Sequence, residues 1–367
     1  MLLLFMFQGL EAERAPGAQL EVRSSETRAF AGQISREMAA EAAFSAARLK
    51  GLRLAERSLA GIEEIRLLLG SETLGSLPRP DPLALALALL REEREAFLQV
   101  EGEGSGRNLL KAEISLRLED VPGNRRKIGV LTAHPLWLDY YARAVEFERL
   151  ALQDYDQAAA PFLRAGEKDL SLPRASPAQG EPEGLSRPWE DLFRDQSRIV
   201  RAAADRLAGI RAYIELIPAL RELELRRGGE DISALRELQH KMEEMNVLYP
   251  ENYLLLAEAA RLHLLRHDLA PARSRLDAAI NLENSFSPAL DLRGVLFLAL
   301  GFPSLALEDF SRAITLRPDI ASFYENRALA LRILEETPAM CLDLAQSCRL
   351  GSCSGLKWAA GKGLCAE

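Results

Sequence analysis

Hydrophobic and polar positions change their period several times along the chain, and each period predicts its own kind of element. Residues 19–32 alternate, from Gln-Leu-Glu-Val-Arg to Arg-Ala-Phe-Ala-Gly, and a period of two predicts a strand. Over 34–58 the period lengthens to that of a helix. Ile34, Met38, Ala42, Ala46 and Leu49 share one face and no Pro interrupts, so an amphipathic helix is expected. A second helix is expected at 61–69, closed by Gly70, and a third at 83–97, after Pro78, Pro80 and Pro82. Residues 97–100 (Phe-Leu-Gln-Val) and 112–118 flank a Gly-rich stretch, a β-hairpin signal, and 127–132 adds a short strand. Residues 19–132 thus read as a small α+β module.

Helical periodicity returns in 133–167. Pro135 suits the first turn of a helix, and Leu138, Tyr141, Val145, Leu152 and Tyr155 run down one side. Residues 168–188 are rich in Pro, Gly and small polar residues and read as a linker. A long helix follows at 189–216, with Ile199, Ala203, Leu207, Ile210, Ile214 and Ile217 as its buried stripe. Pro218 ends or kinks it. Residues 189–252 form a helical segment.

From there a longer period takes over. Ala272, Ala306 and Met340 stand 34 residues apart, as do Leu276, Phe310 and Leu344, then Ala279, Ala313 and Ser347, then Leu282, Leu316 and Leu350. Gly294, Phe297, Gly301 and Pro318 complete the middle unit. These spacings resemble the tetratricopeptide repeat, with three units at 253–286, 287–320 and 321–354. A degraded fourth, carrying Leu238, Met242, Met245, Leu248 and Pro250, precedes them. In such a unit two antiparallel helices, A and B, approach closely at small residues, and large ones fill the space between neighbours. Met340 and Pro338 depart from the pattern, and Pro271 falls in a first turn that tolerates it. The fold class expected is mostly α: a C-terminal α-solenoid preceded by helices and the α+β module. Residues 354–363 should form a capping helix with Leu356, Trp358 and Ala359 as its apolar contacts, within a terminal segment 355–367. Deleting 352–367 should then cost several kcal/mol, on the order of burying one Trp and one Leu.

The resemblance implies an inner face lined mainly by helix A. Its residues here are Ala257, Arg261 and Leu264, then Asp291, Val295 and Leu298, then Glu325, Asn326, Leu329 and Arg332. This mixed lining suits a peptide or another protein as partner. Family members that grip a C-terminal carboxylate use Lys, Asn and Arg at positions held here by Ala257, Arg261, Leu292, Ser322 and Asn326, so no such clamp is expected.

Composition narrows the function. Of the 367 residues 48% are hydrophobic and 27% charged, which excludes wholesale disorder. No apolar run approaches the ~18 residues of a membrane span, and a net charge of −8 argues against nucleic acid as a partner. The apolar start, Met-Leu-Leu-Leu-Phe-Met-Phe, with small residues soon after, fits an incomplete signal segment over 1–18. A basic region is missing, so a short apolar strand or disordered start is the competing reading. No Cys precedes Cys341, so there is no lipobox. The Ala-rich helix from Glu37 to Arg48 and the later strand at 111–119 resemble N-terminal domains of bacterial envelope proteins of the flagellar-assembly T and LPP20-lipoprotein type. That resemblance implies an envelope setting without catalysis.

The search for chemistry returns little. Residues 101–107 (Glu-Gly-Glu-Gly-Ser-Gly-Arg) lack the Lys-Ser/Thr of a phosphate loop and read as the hairpin turn. His263 and His267 lie four apart with no third metal ligand, and the basic run Arg125-Arg-Lys127 reads as a solvated turn. No catalytic residue, cofactor or metal is expected. All four cysteines lie in the last 27 residues. If the helices around Gly351 are antiparallel, Cys348 and Cys353 flank the turn while Cys341 and Cys365 meet at the open end. Two disulfides are therefore favoured over four reduced core thiols, and they would require an oxidising compartment. The reading that follows is a non-enzymatic scaffold of the bacterial cell envelope or periplasm. A cytoplasmic co-chaperone-like scaffold, and an enzyme or enzyme accessory with a site in the α+β module, are the alternatives. Nothing in the sequence sets the oligomeric state.

Overall fold

The computed structural model describes residues 18–30, 34–59, 82–101, 108–119, 135–165, 188–225 and 232–365. The chain divides into two compact units, one formed by Met1–Leu69, Asp81–Val130 and Tyr141–Ala208, the other by Gly70–Pro80, Leu131–Tyr140 and Gly209–Glu367.

The first unit holds a three-stranded antiparallel sheet, order β1-β3-β2, made of β1 (Ala18–Phe30), β2 (Arg91–Glu101) and β3 (Asn108–Glu119). β1 pairs with β3 from Ala18↔Glu119 to Phe30↔Asn108. Helix α1 (Arg36–Leu59) lies on the face that carries Ser24 and Leu116. Its Ala content has a steric cause. Ala47 accepts a hydrogen bond from Ser24 Oγ through its carbonyl at 2.7 Å, and a Cβ at Gly51 would stand 2.7 Å from that same oxygen. Side chains larger than these would lift the helix off the strands. Ala39 and Ala42 of α1, with Ile34, join Ala151, Tyr155, Ala159 and Phe162 of α3 (Pro135–Ala165) and Val200, Ala203, Ala204 and Leu207 of α4 (Pro188–Leu225) in one core. Arg48 Nη1 donates to Glu148 Oε1 at 2.6 Å inside this unit, with both side chains sealed from solvent. On the sheet's other face the buried Glu21 carboxylate accepts from Ser115 Oγ, Arg23 and Arg117, and these bonds, led by Ser115, hold its pKa below the usual carboxylate range despite burial.

Two expectations are corrected here. The helix expected at 83–97 ends early: α2 is Pro82–Leu89, and the chain continues as β2. Arg-Glu-Glu-Arg-Glu-Ala has strong local helix propensity, but pairing with β3 overrides it. A register shift between Glu95 and Leu98 marks a bulge that interrupts the alternation a strand would show in sequence. In α4 the buried stripe is Val200, Ala203, Leu207, Ile210, Tyr213, Ile217 and Leu220; Ile199 is half exposed, and the helix runs past Pro218 to Leu225. The expected helix at 61–69, strand at 127–132 and segment 1–17 lie outside the described residues, as does all but the last residue of the linker.

In the second unit α5 (Ile232–Leu248) takes the helix-B place of the degraded repeat, with Leu238 and Met242 buried and Leu248 exposed. Three helix pairs follow: α6 (Tyr253–Leu265) with α7 (Leu269–Leu282), α8 (Ser287–Ala299) with α9 (Pro303–Leu316), and α10 (Ala321–Ile333) with α11 (Thr337–Arg349). Every helix A opens at its expected residue. Ala272, Ala306 and Met340, Leu276, Phe310 and Leu344, and Ala279, Ala313 and Ser347 are all buried. The leucine column differs: Leu282 and Leu316 are partly exposed, because their helices end there. Each helix A ends in the same way. His267, Gly301 and Glu335 adopt φ of 60°, 81° and 62°, and the next N–H in each case returns to the carbonyl five residues back, on His263, Phe297 and Leu331. Gly294 is required by its partner, since a Cβ there would lie 2.4 Å from the Phe310 ring. The flanking units carry Ala260 with Leu276 and Ala328 with Leu344 at the same positions.

A polar ladder also follows the period. Arg293 grips Asp309 with two bonds of 2.7 and 2.9 Å and reaches back to Asp277 at 3.1 Å. Arg327 grips Asp343 at 2.8 and 2.7 Å and reaches back to Ser311 at 3.3 Å. Fork-to-fork pairs of this kind fix helix A against helix B.

Candidate functional site

The helix-A face divides into residues that hold the array together and residues left open. Ala257 is fully buried, so it lines nothing; this corrects the sequence reading. Asp291 is corrected in the same sense. It is buried, accepts from Asn326 Nδ2 at 2.9 and 3.1 Å, and burial pushes its carboxyl pKa up to about 7 against the lowering effect of that amide. Arg261 donates to the buried Glu258 at 2.7 Å, and Glu325 accepts from Ser352 Oγ at 2.6 Å. Leu264 is partly exposed; Val295 and Leu298 are too, and both pack against Ala306, Phe310 and Ala330. Leu329 is 45% exposed, and Arg332 stands over the Trp358 ring at 5.5 Å. What is left for a partner is an apolar strip, Leu264, Val295, Leu298 and Leu329, ending at Arg332. Of the clamp positions, Asn326 and Arg261 are already engaged within the array.

His263 is a core histidine. Gln239 Nε2 donates to its Nδ1 at 2.9 Å, leaving Nε2–H to donate to Glu243 at 2.8 Å. His267 is exposed in its turn, and among the described residues no group of three His, Cys, Asp or Glu has the arrangement of a metal site.

At the C-terminal end, Cys341 is joined to Cys365 and Cys348 to Cys353, with Cα separations of 5.5 and 4.0 Å. Helix α12 (Ser354–Gly361) covers Met340 and Leu344 with Ala359 and Leu356, and Gly355 lets Leu344 approach. Trp358 does not enter this core: it is 47% exposed. The cap therefore buries less than the sequence reading assigns to it.

The three in-register helix pairs, their common end turns and their small-to-large contacts settle the architecture. The array is an α-solenoid of antiparallel helix pairs repeating every 34 residues. No family model matches the chain, and no curated protein does. Among solved structures, a crystal structure of MamA is similar over 43% of this chain and 92% of its own, at 15% identity and a TM-score of 0.31. Among the described residues no helix is long and apolar enough to cross a membrane.

The first unit contains an open cleft of about 860 Å³ between β1, α1 and α3. Its two acids, Glu26 and Asp156, are held by Lys50 at 2.8 Å and Arg28 at 3.2 Å. Sequence reasoning missed this cleft because its residues come from three separate segments, 26–28, 46–53 and 149–160. The arginine ladder it could have found, since Arg and Asp recur sixteen apart in two successive units.

Proposed function

We propose that the chain is a non-enzymatic scaffold that holds a peptide or another protein along the helix-A face of its array. The observation that carries this reading is the division of that face. Its charged residues are engaged internally, while Leu264, Val295, Leu298 and Leu329 keep part of their apolar surface exposed. A partner with an apolar stripe fits this strip better than a free carboxylate does. The envelope setting is supported by two cysteine pairs within one short terminal segment, because such bonds persist in oxidising compartments.

The test compares two variants in affinity capture from the native cell, with compartment fractionation. Leu329→Glu should lose partners that Leu342→Glu, on the exposed side of α11, retains. Equal capture by both variants would remove the groove reading. Thiol counting after alkylation at lysis tests location: four free thiols would remove the chemical support for export. Tight binding of a free-carboxylate peptide, abolished by amidating its terminus, would contradict the absence of a clamp.

A further inference from the structure

We propose that the cleft of the first unit is a second docking site, taking an acidic peptide segment. Its floor is apolar, with Ala46 and Leu49 from α1 and Leu152 and Ala160 from α3. Its rim carries four cations: Arg28 on β1, Lys50 and Arg53 on α1, and Arg149 on α3. The distribution of existing pairs decides the sign of the ligand. Glu26 and Asp156 are already occupied by Lys50 and Arg28, so an incoming cation finds no uncompensated acid. Arg53 is exposed and has no acid partner among the described residues, and Arg149 is held from outside the cleft by Glu146 of its own helix, in an exposed pair that costs little to share. An incoming carboxylate therefore meets Arg53 directly and shares Arg149 with Glu146, which accepts from it at 2.8 and 2.6 Å. A basic rim of this kind stands out on a chain with a net charge of −8.

The shape selects a peptide. The cleft is shallow and open along one side, whereas small-molecule sites enclose most of their ligand. Exposed Gln153 and Gln157, one helical turn apart on α3, supply the amide donors and acceptors that a peptide backbone requires. The fitting sequence alternates acidic residues for the rim with short apolar ones for the floor.

The probe is a fluorescein-labelled octapeptide of alternating Glu and Leu, titrated against the full chain by fluorescence anisotropy at low and high salt. Its Gln-for-Glu and Lys-for-Glu counterparts run alongside, and anionic vesicles and dextran sulfate serve as competitors. Expected are binding of the Glu peptide alone, weakening with salt, and a loss of at least tenfold in R53E/R149E with unchanged melting. R53Q, milder at this exposed site, should lose a smaller part. Leu329→Glu should leave the affinity unchanged, which separates this site from the array face whatever becomes of the reading given there. Binding equal to that of the Gln peptide, retention in R53E/R149E, loss in Leu329→Glu, or stronger binding of vesicles or dextran sulfate would each overturn the proposal.

Discussion

The two units hold their polar interiors in opposite ways. In the first, the buried pair Arg48–Glu148 joins residues a hundred apart, and the sheet pairs Ala18 with Glu119. In the array, Arg293 and Arg327 find their aspartates sixteen residues on, inside one helix pair. A unit tied by distant contacts loses them together, whereas an array tied by near ones yields piece by piece, each unit leaning on its neighbours. Errors in the first unit should therefore act globally on that unit, and errors in the array should stay local and be reparable nearby.

The largest expected effect follows from removing one partner of the buried pair. Glu148→Ala takes the carboxylate counter-charge from the buried Arg48 guanidinium and should cost the first unit about 3–5 kcal/mol. Limited proteolysis with fragment mapping should then show cleavage within α1 and β3 while the array stays protected; a single global transition would break the comparison. Next is Gly294→Ala, whose methyl group collides with Phe310 and should cost about 1–3 kcal/mol. Adding Phe310→Leu recreates the Ala–Leu pairing of the flanking units, so a double-mutant cycle should show a favourable coupling of at least ~1 kcal/mol. Additive costs would mean that the small-to-large contact is not what fits helix A to helix B.

Asp291 sharpens the contrast through pH. Burial raises its pKa to about 7 in the folded chain, above the unfolded value near 3.8. Over that interval the folded state binds the extra proton, so this group leaves stability intact below pH ~4 and erodes it progressively up to pH ~7. Asp291→Asn should raise the melting temperature at pH 8 and leave it nearly unchanged at pH 4. An equal shift at both values would show that the carboxylate is not the origin. The smallest effect belongs to the turn column. His267 and Glu335 hold the left-handed conformation that Gly301 adopts without strain, so Glu335→Gly should stabilise by roughly 0.5–1 kcal/mol in denaturant titration. Destabilisation would mean that the chain entropy of glycine outweighs the relieved strain.

These differences also explain what could be read in advance. The array was legible because its contacts recur at a fixed interval, so the positions of Ala306, Phe310 and Ala313 each have a small or large packing counterpart 34 residues to either side. The expected cysteine partners could be named because both pairs lie within one helical hairpin. The run from Arg91 to Val100 could not be read, since its state depends on β3 and its bulge hides the alternation. The burial of Ala257 and Asp291 was hidden for a related reason: helix-A position indicates a face, while exposure depends on what other segments place over it. The cleft residues show no pattern in sequence, because they meet only after β1, α1 and α3 have packed.

The arginine ladder bears on how such a chain can change length. Each ladder arginine needs one oxygen behind it and one aspartate ahead, and Arg327 donates to Ser311 Oγ where Arg293 donates to Asp277. A tandem copy of residues 287–320, placed after the original, would present its arginine to Ser311 behind and to its own aspartate ahead. Duplication of a whole unit leaves every bond of the ladder satisfied, whereas gain or loss of a single helix strands a buried carboxylate. The ladder stops at Ala259 on one side and Gly361 on the other, where the matching positions carry no guanidinium. The interior of the array is thus open to duplication, and its two ends are chemically marked as ends.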